Sequence, residues 1–118
     1  PPRDQVPEKF NGRTLNFHNP TMTTMRTTPE ENVAIGKFMA RKLHQAKGPV
    51  VVLLPRGGLS SIDHPGKIFY DPAANQALFD TLKAELSPAV KVIESEHHID
   101  DPEFAILAAQ TMQGLLAK

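Results

Sequence analysis

A chain of 118 residues, 40% of them apolar, has room for one domain with a modest core. Thirteen basic residues balance thirteen acidic ones, so no overall field draws it to nucleic acid or an anionic membrane, and the lack of cysteine excludes disulfides, thiolate catalysis and cysteine zinc sites. No apolar run approaches the roughly 20 residues that span a bilayer, and the first residues are polar and proline-rich, so a soluble, cytoplasmic protein is expected.

The chain opens on Pro1-Pro2 without methionine, which reads as a processed product or a piece of something longer. Residues 1–13 form an extended lead-in. Thr14-Leu15-Asn16-Phe17-His18 alternates as a short strand, and a polar loop follows from Asn19 to Thr27. Thr28-Pro29-Glu30-Glu31 is a helix start, with a hydroxyl N-cap, proline at the first position and glutamate three residues after the cap. The helix runs to about Ala46 on an apolar stripe of Ile35, Met39, Leu43 and Ala46 with Phe38 beside it, and Gly48-Pro49 stops it.

Val50 to Leu54 is an unbroken branched apolar run, the habit of a strand buried on both faces in a parallel sheet. A long loop, Pro55 to Tyr70, leads to a helix beginning at Asp71-Pro72, with Ala74, Leu78, Leu82 and Leu86 four residues apart and Phe79 widening the stripe. Ser87-Pro88 closes it. A third strand, Val90 to Glu94, a loop from Ser95 to Asp100, and a helix from Asp101-Pro102 carrying Phe104, Leu107, Ala108, Met112, Leu115 and Leu116 complete the series.

Three strand-helix units in a row predict an α/β fold: a three-layer parallel sheet with right-handed crossovers, resembling half of a doubly wound, Rossmann-like fold. Every strand-to-helix loop then emerges at the carboxyl edge, and the first two are long and rich in Thr, Asn, Arg, Gly, Ser and Asp, which marks that edge as functional. Three parallel strands leave two sheet edges open, so a homo-oligomer or a missing upstream half-domain is expected to supply cover.

The loops hold the candidate chemistry. Arg26 is the one fixed positive charge in a hydroxyl-rich segment leading into a helix N-terminus, suited to a phosphate or carboxylate with Thr27, or else paired with Glu30 or a nearby acid. Gly57 and Gly58 either let the backbone approach a ligand or make a tight turn, and Ser60 and Ser61 add donors. Asp63 either receives a sugar hydroxyl or magnesium or pins the loop through its own backbone. Phe69 and Tyr70 either stack on a base or staple the next helix. His98 is the candidate general acid or base, with fixing of the third loop as its other role; adjacent His97 and His98 point apart and do not readily share a metal, so no metal site is assigned. The spacing of a P-loop, of a dinucleotide fingerprint and of a nucleophile elbow is absent.

Several motifs together resemble one family. Val6-Pro7, Phe10, Gly12-Arg13 and His18-Asn19-Pro20 lead to Met25-Arg26-Thr27-Thr28 and Glu30-Glu31-Asn32. Leu54-Pro55-x-Gly57-Gly58-x-Ser60, Asp63-x-Pro65-Gly66, Phe69-Tyr70-Asp71-Pro72 and His97-His98-Ile99-x-Asp101-Pro102-x-Phe104-Ala105 follow in order. In that order they resemble the carboxyl-terminal part of the tomato mosaic virus resistance protein family, whose bacterial and fungal members have long been labelled uncharacterised. The resemblance implies a nucleotide-binding protein of two α/β domains, the second ending with this chain. It also implies ATP near a dimer interface, with or without magnesium. The plant member's inhibition of a viral replication protein is not carried over. Leu59-Ser60-Ser61-Ile62 departs mildly from the family's usual Val-Ser-Ala-Leu, and Asp100 stands where asparagine is usual. The expected site is therefore Arg26, Thr27, Gly57, Gly58, Ser60, Ser61 and Asp63 around an ATP-type ligand. The alternatives are an enzyme acting on a small phosphorylated or carboxylated metabolite through His98, and a structural half-domain completed by another chain.

Overall fold

The computed structural model describes residues 1–117, and among them two separate two-stranded sheets accompany three α-helices. The lead-in is not extended throughout: two short 3-10 turns, Arg3–Gln5 and Glu8–Phe10, fold it back on itself.

The first strand-helix unit departs from expectation. β1 (Leu15–Asn19) pairs antiparallel with β2 (Met22–Met25), so the segment read as a loop is the second arm of a hairpin, and the first strand does not join the parallel sheet. Met22-Thr23-Thr24-Met25 is made of good strand residues, and its polar threonines hid that character. The turn closes through Asn19, whose Oδ1 accepts from the Thr21 N–H and hydroxyl, each at 3.0 Å.

α1 (Pro29–Leu43) starts as expected, with Thr28 Oγ1 accepting from Glu31 N–H and the Glu31 carboxylate accepting from Thr28 N–H, each at 3.1 Å. Arg13 clamps Glu31 with two bonds of 2.9 and 2.8 Å, and together with the Thr28 N–H holds that carboxyl below its ordinary 4.5. The buried face of α1, however, is Asn32, Gly36 and Ala40, one position along from the apolar stripe. Ile35, Phe38 and Met39 point outward, 38%, 53% and 37% exposed. Small residues win that face because α2 (Pro72–Glu85) lies close: a Cβ on Gly36 would sit 2.8 Å from the Thr81 methyl.

β3 (Val51–Pro55) and β4 (Lys91–Ser95) form a parallel pair in register, Val51 opposite Lys91 through Pro55 opposite Ser95. Alternation along the strands divides their side chains between two faces. Val52, Leu54 and Val92 join Ala40, Phe79, Leu82 and Leu86 in the main core, while Val51 and Ile93 border Thr111 and Leu115 of α3 (Pro102–Leu116). The α/β class with a parallel sheet thus stands, but the sheet has two strands where three were expected. No helix of the described residues is long and apolar enough to cross a membrane.

Candidate functional site between the hairpin and the glycine loop

Beyond the strands, pairing continues between the two outgoing loops. Arg56 N–H donates to Ser95 C=O at 2.8 Å, Gly57 N–H to His97 C=O at 3.0 Å, and Ile99 N–H to Gly58 C=O at 3.1 Å. This zipper explains both glycines. A Cβ on Gly57 would meet the backbone at His97 and His98. One on Gly58, whose φ is +137°, would strike the His98 ring and the Asp63 carbonyl. The backbone approach that glycine permits is here taken up by the neighbouring loop.

His98, 4% exposed, locks the junction. Its Nδ1 accepts from Asp100 N–H at 3.0 Å, which leaves the proton on Nε2, and that atom donates to Ser60 C=O at 2.9 Å. His64 stacks on the ring with centroids 3.6 Å apart and planes 14° from parallel. Asp101, at the N-cap position of α3, accepts from His98 N–H at 2.8 Å and makes no side-chain cap bond among the described residues. His64, His98 and Asp100 cluster closely enough to suggest a metal, yet stacked rings cannot aim in-plane lone pairs at one ion, and both His98 nitrogens are engaged. A second cluster, His97, Asp101 and Glu103, sits at the start of α3, where the helix dipole opposes a cation.

Asp63 organises the other side of the loop. Only 2% exposed, it accepts at Oδ2 from Leu59 N–H at 2.9 Å and from the Asn75 amide at 2.7 Å, and at Oδ1 from Asp71 N–H at 3.4 Å. Arg26 lies 3.7 Å away with a side chain 11% exposed. Its guanidinium donates to Phe69 C=O at 2.9 Å, Asp71 C=O at 3.3 Å, Asn75 Oδ1 at 2.6 Å and Thr27 Oγ1 at 3.4 Å. All three of its nitrogens are engaged within the chain. Of the alternative reading of Arg26, pairing with Glu30 or a nearby acid, the acid it meets is Asp63.

Arg26, Thr27, Gly58, Asp63 and His98 are thus brought into one connected set, with Gly57 beside it. Ser60 and Ser61 lie at its outer margin. They line a cleft of about 400 Å³ together with Ile62 and Phe69, and Asn16, His18, Met22 and Thr24 of the hairpin form the opposite wall. The Ser60 hydroxyl is buried and has no hydrogen-bond partner among the described residues. The amides of Ser60, Ser61 and Ile62 donate to no acceptor among those residues either, although the turn itself closes from Asp63 N–H to Ser60 C=O at 2.9 Å. A turn of two serines with unpaired amides lining one wall suits an anion, and Met22, Ile62 and Phe69 suit an apolar or ring-shaped body.

Sequence reasoning missed the hairpin wall and Asn75. The hairpin was hidden by its threonines. Asn75 carries a readable signal, an amide on the buried side of a helix otherwise lined by Ala74, Phe79 and Leu82.

Over residues 1–116 the chain matches the C-terminal domain of an uncharacterised protein family, UPF0261. The chain belongs to UPF0261. It is 42% identical over 118 residues to a UPF0261 protein of Clostridium tetani, covering 99% of this chain and 29% of that protein. It is 41% identical over 108 residues to the ToMV resistance protein Tm-1 of Solanum lycopersicum, and 39% identical over 106 residues to the ToMV susceptible protein tm-1 of the same plant. Each of those matches covers 88% of this chain and 14% of the tomato protein. The chain therefore spans less than a third of the length of each of these relatives.

Proposed function

We propose that this UPF0261 domain binds a nucleotide-type ligand, ATP or a close relative, in the cleft between the hairpin and the Ser60-Ser61-Ile62 turn. The observation that carries the reading is that Ser60, a residue lining the cleft, keeps a buried hydroxyl with no partner among the described residues. Leaving a buried hydroxyl unpaired costs about 1–3 kcal/mol, so an external acceptor is the natural partner. In this reading Ser60, Ser61 and the three adjacent amides meet phosphate oxygens, and Phe69, Met22 and Ile62 receive the ring. Arg26, Thr27, Asp63, Gly57, Gly58 and His98 act behind them, holding the turn in shape. Magnesium accompanies the phosphates rather than binding Asp63, whose oxygens already accept from the loop and from Asn75. The parallel pair and its helices are read as half of a three-layer doubly wound fold, which puts both outgoing loops at the ligand edge. The resistant and susceptible tomato relatives match this region almost equally, which argues for a function more general than the viral trait in their names.

Calorimetry with ATP, with and without magnesium, tests the reading when combined with Ser60→Ala. The substitution should weaken binding about tenfold or more, the loss for a bond to a charged acceptor, while leaving the unliganded domain as stable as before or slightly more so. Equal affinity in both proteins, or no heat in either, overturns it.

A further inference from the structure

The hairpin has two faces, and the nucleotide cleft uses one of them. Side chains alternate along a strand, so Asn16, His18, Met22 and Thr24 line the cleft while Leu15, Phe17, Thr23 and Met25 fall on the opposite face. The lead-in folds over that second face. The Arg3 guanidinium sits 4.5 Å above the centre of the Phe17 ring. Beside it, Pro1, Val6, Pro7 and Phe10 of the lead-in and Leu15, Thr23 and Met25 of the hairpin enclose a recess of about 180 Å³.

No charged side chain lines this recess, and Thr23 is the only lining side chain with an O–H or N–H. Its hydroxyl is buried and has no hydrogen-bond partner among the described residues. A buried hydroxyl left unpaired is costly. Water is a poor remedy, because a buried water makes about three hydrogen bonds and one lining side chain alone can serve it. An ion is a worse one, since no lining side chain offsets the cost of stripping its hydration. Size narrows the occupant further. An apolar cavity of about 150 Å³ takes up benzene, so this recess has room for one ring.

We propose that the recess behind the hairpin is a second small-molecule site. Its occupant is a neutral compound with one ring, or a short branched chain of that size, bearing a single hydroxyl or carbonyl that pairs with Thr23. The apolar body packs among Val6, Phe10, Leu15 and Met25. This site stands apart from the nucleotide cleft, on the other face of the same hairpin, and takes the opposite chemistry: uncharged and largely apolar rather than anionic.

Phenol and toluene have nearly the same size and differ in the hydroxyl, so the pair probes the site with nucleotide left out. Methionine methyls report where each goes, since Met25 lines the recess, Met22 the cleft, and Met112 belongs to α3. In the isotope-labelled full chain, phenol should shift the Met25 signal saturably and leave those of Met22 and Met112 in place. Thr23→Val keeps the shape, suits a strand and lacks the hydroxyl. It should weaken phenol about fivefold, the loss of one neutral hydrogen bond, and leave toluene binding as it was. Thr23→Ser, which keeps the hydroxyl, should bind phenol as the wild type does, and Thr23→Ala repeats the test without the branched side chain. No saturable shift at Met25 overturns the proposal, and so does a phenol shift at Met22 instead. Phenol affinity unchanged in both Thr23→Val and Thr23→Ala would reduce the recess to an apolar gap and overturn it as well.

Discussion

Asp63 sits at the point where three segments of chain meet. Its carboxylate takes bonds from Leu59, Asp71 and Asn75, with Arg26 at 3.7 Å as the nearest cation. Asp63→Ala would leave a nearly buried guanidinium without its counter-charge and a buried amide without its acceptor. Removing one member of a buried pair costs about 3–5 kcal/mol. Urea unfolding should show a loss of that order, while Asp63→Asn, which keeps one acceptor oxygen, should lose distinctly less. A loss under about 1 kcal/mol for the alanine variant would mean that the loop holds its shape without the carboxylate. The same residue shows where reading side chains in sequence stops. Its alternatives, sugar or metal contact against pinning of the loop, depended on whether its oxygens face outward. That is a matter of long-range partners such as Asn75, twelve residues away on another element.

Helix starts were legible because their signals are local: Thr28, Asp71 and Asp101 each precede a proline that opens a helix. Strand partners were not, since pairing is decided between segments. The hairpin and the shortened parallel sheet follow from that. The buried face of α1 was misread for a related reason. Periodicity located the apolar stripe, but the close approach of α2 selected the small residues beside it. Gly36→Ala puts two effects in competition. Helix propensity favours alanine by about 1 kcal/mol. The new methyl would meet Thr81 Cγ2 at 2.8 Å and Cβ at 2.9 Å, and overpacking costs about 1–3 kcal/mol. Thr81 cannot turn aside cheaply, because its hydroxyl donates to Ala77 C=O at 2.7 Å. The expected result is therefore a net loss for Gly36→Ala in wild-type background and a net gain when Thr81→Ala is already present. A double-mutant cycle measures the coupling, and additivity of the two changes would show that the helices are not in contact there.

At the scale of the molecule, the Cα radius of gyration is 16.4 Å and the extents are 51 × 29 × 24 Å, whereas a compact chain of this length has a radius of about 13.5 Å. The elongation reflects how the parts are joined. α1 and α2 pack along each other, and α2 shares a core with β3 and β4, but the hairpin pairs chiefly with itself. Its links to the rest run through Arg13, which bonds Glu31 and the Arg26 carbonyl, through Arg26 just after β2, which bonds Phe69, Asp71 and Asn75, and across the cleft to Ser60, Ser61, Ile62 and Phe69. Phe17, Met22 and Met25 are 43%, 49% and 37% exposed, so little apolar burial holds the hairpin down. Local opening should therefore cost much less free energy at Leu15–Met25 than at α2, and its amides should exchange well before those of α2 and β4. A ligand in the cleft touches both walls, so saturating ATP should slow exchange in the hairpin while leaving α3, on the far side of the sheet, unchanged. Protection confined to the Ser60 turn would place the ligand on one wall only. Slow exchange of the hairpin before any ligand is added would mean that it belongs to the same cooperative unit as the core, and the cleft would then be a rigid slot rather than one closed by its occupant.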